Sequence, residues 1–222
     1  MIKAVVFDLD GTLLDTIPDI AFALNRALDR CGLPTHPVEA CKGFVGGGIR
    51  EAVVRAAPPQ STPEVIEQVL ELYRAYYPAH CTVHTAPYPG VAELLAGLAA
   101  AGVALGILSN KTQLPTQQIV RHFFPRVPFR FVLGRVDGCP LKPDPAAAGR
   151  ILEALDLPPA EIAYVGDSGT DMAFARAAGM LPAAAPWGYR SREDLAENGA
   201  VLMPEDAGEL LSLLLEAAGA AR

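Results

Sequence analysis

The stretch Lys3-Ala-Val-Val-Phe-Asp8-Leu-Asp10-Gly11-Thr-Leu-Leu-Asp15 decides the fold. It begins with an apolar run rich in β-branched residues that ends at an acidic turn, as expected of a strand buried in a parallel sheet. Similar runs recur at residues 103–108, 129–133, 162–165 and, weakly, 180–185. Helical patterns lie at residues 91–101, 115–123, 145–155, 170–178 and about 207–217. This alternation predicts an α/β fold, a doubly wound, Rossmann-like parallel sheet with its ligand chemistry at the carboxyl ends of the strands.

Residues 16–84 interrupt the alternation. They contain helical patterns, including 18–31 and 64–77, and no convincing strand. We therefore predict a small all-helical cap inserted after the first strand and its turn. The predicted domains are an α/β core of residues 1–15 and 85–222 and a helical cap of residues 16–84.

Composition restricts the classes of function. Of 222 residues, 51% are hydrophobic and 19% are charged, and the formal net charge is -7. Intrinsic disorder is excluded as the main state, and we expect no nucleic-acid partner because no basic field is available. A small anionic substrate stays possible, since one metal ion or one well-placed lysine can invert the local field.

The same composition bears on location and redox state. The longest uncharged apolar stretch, residues 94–108, is shorter than the roughly 20 residues of a membrane-spanning helix. No signal peptide is recognisable, so we expect a cytoplasmic protein without a membrane partner. The four cysteines are scattered, and we expect them to be small buried hydrophobic residues: Cys31, Cys41, Cys81 and Cys139.

Two polar turns follow the first and second predicted strands. Asp8 and Asp10 can divide labour between nucleophile or metal ligand and acid–base catalyst, although an Asp-Gly turn with solvated acids has the same sequence. Ser109 and Asn110 place a hydroxyl and an amide at the same sheet edge, or they open a loop and cap a helix.

Two further turns are predicted near that edge. Lys142 precedes a helix beginning near Pro145, and its alternative interpretation is a surface turn. Asp167 and Asp171 follow the fourth strand, where Asp167 or Ser168 could instead act as a helix cap. Together the four turns supply acids, a hydroxyl and a lysine, which match a magnesium-assisted phosphoryl-transfer site.

With these motifs in order, the chain resembles phosphatases of the haloacid dehalogenase superfamily, and among them the phosphoglycolate phosphatase group. The resemblance implies that Asp8 is the nucleophile and that Asp10 protonates the leaving oxygen and then activates water. It also implies that Ser109 and the Asn110 backbone hold phosphoryl oxygens while Lys142 neutralises charge. By the same resemblance, Mg²⁺ is the cofactor, and its expected ligands and supporting residue are Asp8, the Asp10 carbonyl, Asp167 and, in support, Asp171.

The glycine-rich stretch of residues 43–50 lies within the predicted cap. It lacks the trailing lysine and hydroxyl of a P-loop, so we do not expect nucleotide binding. It is either a loop that connects helices or a substrate-contacting loop. Resemblance to the cap loop of phosphoglycolate phosphatases implies the second, with substrate bound by Gly46, Gly47, Gly48 and Arg50.

The sequence does not decide the roles of His80, His84 and Trp187. His80 and His84 have the spacing of one helical turn, but nearby prolines make a helix doubtful, and we interpret them as part of a linker. Trp187 opens a Trp-Gly-Tyr-Arg stretch that is either a packed anchor or a loop facing the cap.

The leading hypothesis is a phosphatase that hydrolyses small phosphate monoesters through an aspartyl-phosphate, with 2-phosphoglycolate as the best single substrate. A sugar phosphomutase of the same superfamily is the enzymatic alternative. A phospho-acceptor signalling module is the alternative from another class, although such a module needs neither a cap nor Asp10. The expected partner is a small phosphate ester, and the expected state is a monomer or a homodimer.

Overall fold

A computed structural model describes residues 1–220 of the chain. The strands in chain order are β1 (Ala4–Phe7), β2 (Leu14–Asp15), β3 (Ala86–Pro87), β4 (Ala104–Thr112), β5 (Phe129–Arg135), β6 (Ile162–Gly166) and β7 (Leu181–Ala184). Five of them form a parallel sheet in the order β5-β4-β1-β6-β7, with β1 at its centre. The chain thus winds outward from β1 to one edge and then to the other, which confirms the predicted doubly wound sheet.

Helices cover both faces of this sheet. In chain order they are α1 (Ile17–Arg30), α2 (Val38–Cys41), α3 (Ile49–Ala56), α4 (Pro63–Tyr76), α5 (Val91–Ala100), α6 (Gln113–Phe123), α7 (Gly149–Leu155), α8 (Gly169–Ala177), α9 (Arg192–Glu197) and α10 (Ala207–Ala217). Val5 of β1 belongs to the hydrophobic cluster that contains Leu94 of α5, whereas Val6 belongs to the cluster that contains Ile151 of α7. Alternate side chains of a strand point to opposite faces, so β1 is buried on both sides, which explains its uninterrupted apolar sequence.

Two element boundaries differ from the prediction in ways that affect the site. The second strand of the sheet, β4, continues to Thr112 because its end pairs with Arg135 after a register shift. Ser109 and Asn110 therefore lie on the strand rather than in a loop after it. The predicted helix at residues 145–155 begins as a short 3-10 turn, Pro145–Ala148, and becomes α-helical only at Gly149.

Between β2 and β3 the chain is helical, as predicted, and contains α1 to α4. β2 and β3 pair antiparallel, so the two ends of this helical segment lie side by side. The Asp19 carboxylate in α1 is buried and accepts hydrogen bonds from the backbone N–H groups of Val83, His84 and Thr85 at 2.9–3.0 Å. Together these contacts fix the return of the chain to the sheet. The division into domains at residues 16 and 84 stays a prediction.

The two linker histidines do not face a common site. His80 stacks on Tyr76, with 3.8 Å between ring centroids, and its Nδ1 lies 2.9 Å from the Tyr76 carbonyl oxygen. The His84 side chain is exposed.

Cys41 and Cys81 are buried as expected, Cys31 and Cys139 are half-buried, and all four are free thiols. Within residues 1–220, every helix is too short or too polar to cross a bilayer.

Candidate active site

The carboxyl edge of the sheet collects the predicted polar residues. Asp8 follows β1 directly, Ser109 and Asn110 lie near the carboxyl end of β4, and Asp167 follows β6. Because β4, β1 and β6 are neighbours, these residues meet at one edge. Lys142 reaches the same edge from the loop between β5 and α7.

Asn110 positions the loop that carries Lys142. Its amide Nδ2 donates to the Lys142 carbonyl oxygen at 3.0 Å, and its Oδ1 accepts from the Lys142 backbone N–H at 3.0 Å. The same Nδ2 also donates to the Gly46 carbonyl oxygen at 3.0 Å. One buried amide therefore joins the sheet edge, the lysine loop and the glycine-rich loop.

A buried lysine joins two carboxylates. Lys142 Nζ lies 3.1 Å from Asp8 Oδ1 and 2.7 Å from Asp171 Oδ1, and the lysine side chain is 2% exposed. The other oxygen of Asp171 accepts from the Ser168 hydroxyl at 2.6 Å and the Ser168 backbone N–H at 3.1 Å. Asp171 thus caps α8 and holds Lys142 against Asp8.

The acids are crowded in a way that a cation would relieve. Carboxylate oxygens of Asp8, Asp167 and Asp171 lie within 4.8 Å of one another. Burial raises the pKa of Asp8 to about 6, and Asp171 and Asp10 add to the increase while Lys142 opposes it. Burial, together with the neighbouring carboxylates of Asp171 and Asp8, raises the pKa of Asp167 well above its ordinary value. Burial and mutual repulsion disfavour the ionised forms of Asp8 and Asp167. A divalent cation bound beside these carboxylates would stabilise the ionised forms.

The hydrogen bonding of Asp8 Oδ1 supports the same conclusion. Asp8 Oδ1 is buried and accepts no hydrogen bond from residues 1–220, although Lys142 lies within ion-pair distance. Carboxylate oxygens are the preferred ligands of hard cations such as Mg²⁺, so the donor set fits such an ion.

Two glycines allow the loops to close around Asp167. A Cβ atom at Gly11, whose φ is +81°, would lie 2.2 Å from Asp167 Oδ2. A Cβ atom at Gly188 would lie 2.3 Å from the Asp167 Cβ. The carboxylate itself accepts from the Thr12 hydroxyl at 3.2 Å and the Tyr189 backbone N–H at 2.8 Å. Larger residues at either glycine would displace the acid.

Asp10 has a partner that the sequence analysis missed. Lys111 Nζ lies 2.8 Å and 3.0 Å from the two carboxylate oxygens of Asp10, and the Thr16 hydroxyl donates to Asp10 Oδ1 at 2.7 Å. The Lys111 side chain is only 6% exposed. Two features of the sequence could have indicated a role for Lys111: it directly follows Asn110, and it is one of four lysines in the chain.

A cavity lies between this edge and the helical segment. The sheet edge contributes polar groups and the helical segment contributes mostly apolar ones. The lining residues are Asp8, Asp10, Ile20, Val45, Gly46, Gly48, Ile49, Ala52, Tyr73, Tyr77, Ser109, Asn110, Lys111, Thr112, Asp167, Ser168, Tyr189 and Arg190.

The glycine-rich loop reaches the cavity only in part. Gly46 and Gly48 line it, whereas at Gly47 the nearest side-chain group is the carboxylate of Glu51. Arg50 is outside the cavity, where its half-exposed guanidinium pairs with Glu67 of α4. The expectation that this guanidinium lies over the acids is therefore not met in the structure.

The phase of α3 explains the position of Arg50. This helix begins at Ile49, and its cavity side carries Ile49 and Ala52. Arg50 is offset from that side by one residue, or about 100° around the helix, and meets α4 instead.

We expect Arg50→Ala to change kcat/KM by less than about threefold, because its guanidinium pairs with Glu67 outside the cavity and takes no part in binding the transition state. Steady-state kinetics with a phosphate ester that carries a carboxylate provides the measurement. Glu67→Gln is the matched control, since it breaks the same pair from α4. A loss of tenfold or more for Arg50→Ala alone would place the guanidinium on the substrate.

The Trp-Gly-Tyr-Arg stretch has both of its candidate roles. Trp187 packs against the core and donates from Nε1 to the Thr12 carbonyl oxygen at 2.9 Å. Arg190 donates to the carbonyl oxygens of Lys42 and Val45, both at 2.9 Å. The tryptophan is thus a packed anchor, and the arginine connects the core to the helical segment, as the alternative of a loop facing the cap implies.

Comparison with known proteins defines the class to which this site belongs. The family model of haloacid dehalogenase-like hydrolases matches residues 5–185, which include the polar turns that carry Asp8, Asp10, Ser109, Lys142 and Asp167. The chain belongs to the haloacid dehalogenase-like hydrolase family.

Within that family, the chain is similar to named phosphatases. It is 36% identical to a phosphoglycolate phosphatase of Chromobacterium violaceum, over 96% of both chains. It is 33% identical to the phosphoglycolate phosphatase of Pseudomonas savastanoi pv. phaseolicola, over 94% of this chain and 78% of the relative. A solved structure of a predicted phosphoglycolate phosphatase from Haemophilus somnus has a TM-score of 0.89 at 28% identity and covers 96% of this chain and 98% of that one. The chain is accordingly classed as a phosphoric monoester hydrolase.

Proposed function

We propose that this protein is a magnesium-dependent phosphatase that transfers the phosphoryl group of a small monoester to Asp8 and then to water. The observation that carries the proposal is the contact of Lys142 with Asp8 at 3.1 Å, where Asp8 lines a cavity together with Asp10. The ammonium group of Lys142 stabilises the ionised carboxylate of Asp8 and reduces its repulsion of the approaching phosphate.

The chain's own groups account for the transfer in two steps. An Asp8 oxygen forms a bond to phosphorus as the ester P–O bond breaks, and the proton of Asp10 goes to the leaving oxygen. In the second step Asp10 takes a proton from water, whose oxygen displaces Asp8 from phosphorus. Ser109 and the Asn110 backbone, near the carboxyl end of β4, would hold phosphoryl oxygens.

Mg²⁺ would be held by Asp8, the Asp10 carbonyl and Asp167. When bound, it neutralises charge on the phosphoryl oxygens and on Asp8. Asp171 is better placed to support than to ligate, because its two oxygens already bond to Lys142 and Ser168.

The relatives suggest the substrate. Both curated relatives are named phosphoglycolate phosphatases, and we propose 2-phosphoglycolate as the ester that this chain hydrolyses, giving glycolate and phosphate.

A panel of phosphate monoesters assayed with and without Mg²⁺ tests this function. We expect phosphate release that depends on Mg²⁺ and is fastest with 2-phosphoglycolate. Detection of a second phosphorylated product, instead of inorganic phosphate, would indicate a mutase. Release that is unchanged after chelation would contradict the magnesium site.

We expect Asp167→Asn to raise the Mg²⁺ concentration for half-maximal rate by about 10-fold or more, because it removes a charged oxygen ligand. The measurement is a Mg²⁺ titration of the initial rate. Asp156→Asn is the matched control, since Asp156 is exposed at the end of α7 and asparagine tolerates its positive φ of 52°. Identical titrations for Asp167→Asn and the wild type would remove Asp167 from the metal site.

A further inference from the structure

A buried tyrosine hydroxyl beside the cavity has no partner. Tyr77 lines the cavity and is 2% exposed, and its hydroxyl makes no hydrogen bond with residues 1–220. Burial raises the pKa of this phenol well above its ordinary value, so the hydroxyl keeps its proton and can donate. A buried donor without an acceptor is costly, and its position suggests that a ligand supplies the acceptor.

A cation lies next to this tyrosine. Lys111 Nζ is 4.8 Å from the centroid of the Tyr77 ring and bonds to both oxygens of Asp10. An ammonium has three N–H donors, and the Asp10 carboxylate uses two of them. Lys111, from the sheet edge, and Tyr77, from the helical segment, are therefore neighbours in the cavity lining.

Three other cations near the cavity are already occupied, and Arg135, whose guanidinium lies near Gly48, is not among the cavity-lining residues. Arg50 pairs with Glu67 outside it, and Arg190 donates from both terminal nitrogens to carbonyl oxygens of the glycine-rich loop region. Lys142 is bound between Asp8 and Asp171. Lys111 is therefore the lysine in the cavity wall that is available to a second anionic group of the substrate.

We propose that Tyr77 and Lys111 form the subsite that binds the carboxylate of the substrate. This inference rests on the proposed function and specifies its substrate class: short phosphate monoesters with a second anionic group close to the ester oxygen. Lys111 also bonds to Asp10. The carboxylate of the substrate would therefore be bound beside Asp10, the group that protonates the leaving oxygen. An ester without the carboxylate leaves the Tyr77 hydroxyl unpaired and is a poorer substrate.

Selectivity between two esters tests the subsite. We would measure kcat/KM for 2-phosphoglycolate and for ethyl phosphate, which has a similar length and no carboxylate. Tyr77→Phe should lower the ratio of the two constants by about 10-fold or more, the usual effect of losing a hydrogen bond to a charged group. Tyr76→Phe is the matched control, because Tyr76 lies at the end of α4, is not among the cavity-lining residues and contacts Phe22 and Arg26.

Lys111→Met provides a second variant if Tyr77→Phe does not fold, as judged by circular dichroism. It should also lower the ratio, whereas a merely structural defect would reduce both constants equally. An unchanged ratio in both folded variants would overturn the subsite, as would a wild type without preference for 2-phosphoglycolate over ethyl phosphate. A wild type that hydrolyses no phosphate ester contradicts the proposed function itself.

Discussion

Asp8→Asn is expected to reduce kcat by about 10⁴-fold or more, the scale of loss seen when a catalytic nucleophile is removed. The amide that replaces the carboxylate is almost isosteric but cannot form the bond to phosphorus. It also removes the charge that Lys142 contacts at 3.1 Å.

The same variant should be folded and no less stable at neutral pH without Mg²⁺. The pKa of Asp8 is raised from 3.8 to about 6, so in the metal-free protein the ionised form is disfavoured by folding above that pH. That cost disappears only as the pH falls toward 3.8, and an uncharged amide avoids it at pH 7. We therefore expect a Tm equal to or above that of the wild type.

Steady-state hydrolysis and thermal melting at pH 7 check both expectations. Asp15→Asn is the matched control, since Asp15 lies in the same stretch and contacts the Ile17 backbone N–H at 3.2 Å, away from the acid cluster. Substantial turnover by folded Asp8→Asn would remove Asp8 from its assigned role.

Asp10→Asn is expected to slow the reaction by about 10²- to 10⁴-fold, the range for a general acid–base group. An asparagine can neither protonate the leaving oxygen nor take a proton from water. The loss should be larger for 2-phosphoglycolate than for an aryl phosphate, because a phenolate leaves without protonation.

Single-turnover kinetics with the two esters separates these effects. With the aryl phosphate, the first step should stay fast while release of phosphate slows. Equal slowing of both steps with both esters would indicate that Asp10 maintains the site structurally, through its contacts with Lys111 and Thr16.

The sheet and its acids could be predicted because their signals are local. β1 is buried on both faces, so its apolar run is continuous and its end is marked by Asp8. The strand and helix patterns then place Asp167 at the same edge by topology alone.

The contacts that complete the site are not local. Lys111 meets Asp10 across a separation of 101 residues, and Arg190 meets Lys42 across 148. The direction of Arg50 depended on the residue at which α3 begins, and a shift of one residue turns a side chain by about 100°. Tyr77 continues an apolar helical stripe, and nothing in that pattern indicates that its hydroxyl is left without a partner.

The most direct test of the central claim is to trap the phosphoryl group on the protein. Asp10→Asn would be mixed with an aryl phosphate and Mg²⁺, quenched in acid, and examined by intact and peptide mass spectrometry. We predict the mass of one added phosphoryl group, located at Asp8 and absent from the Asp8→Asn, Asp10→Asn double variant. Consumption of ester with no phosphorylated protein, or with the phosphoryl group at another residue, would contradict the account.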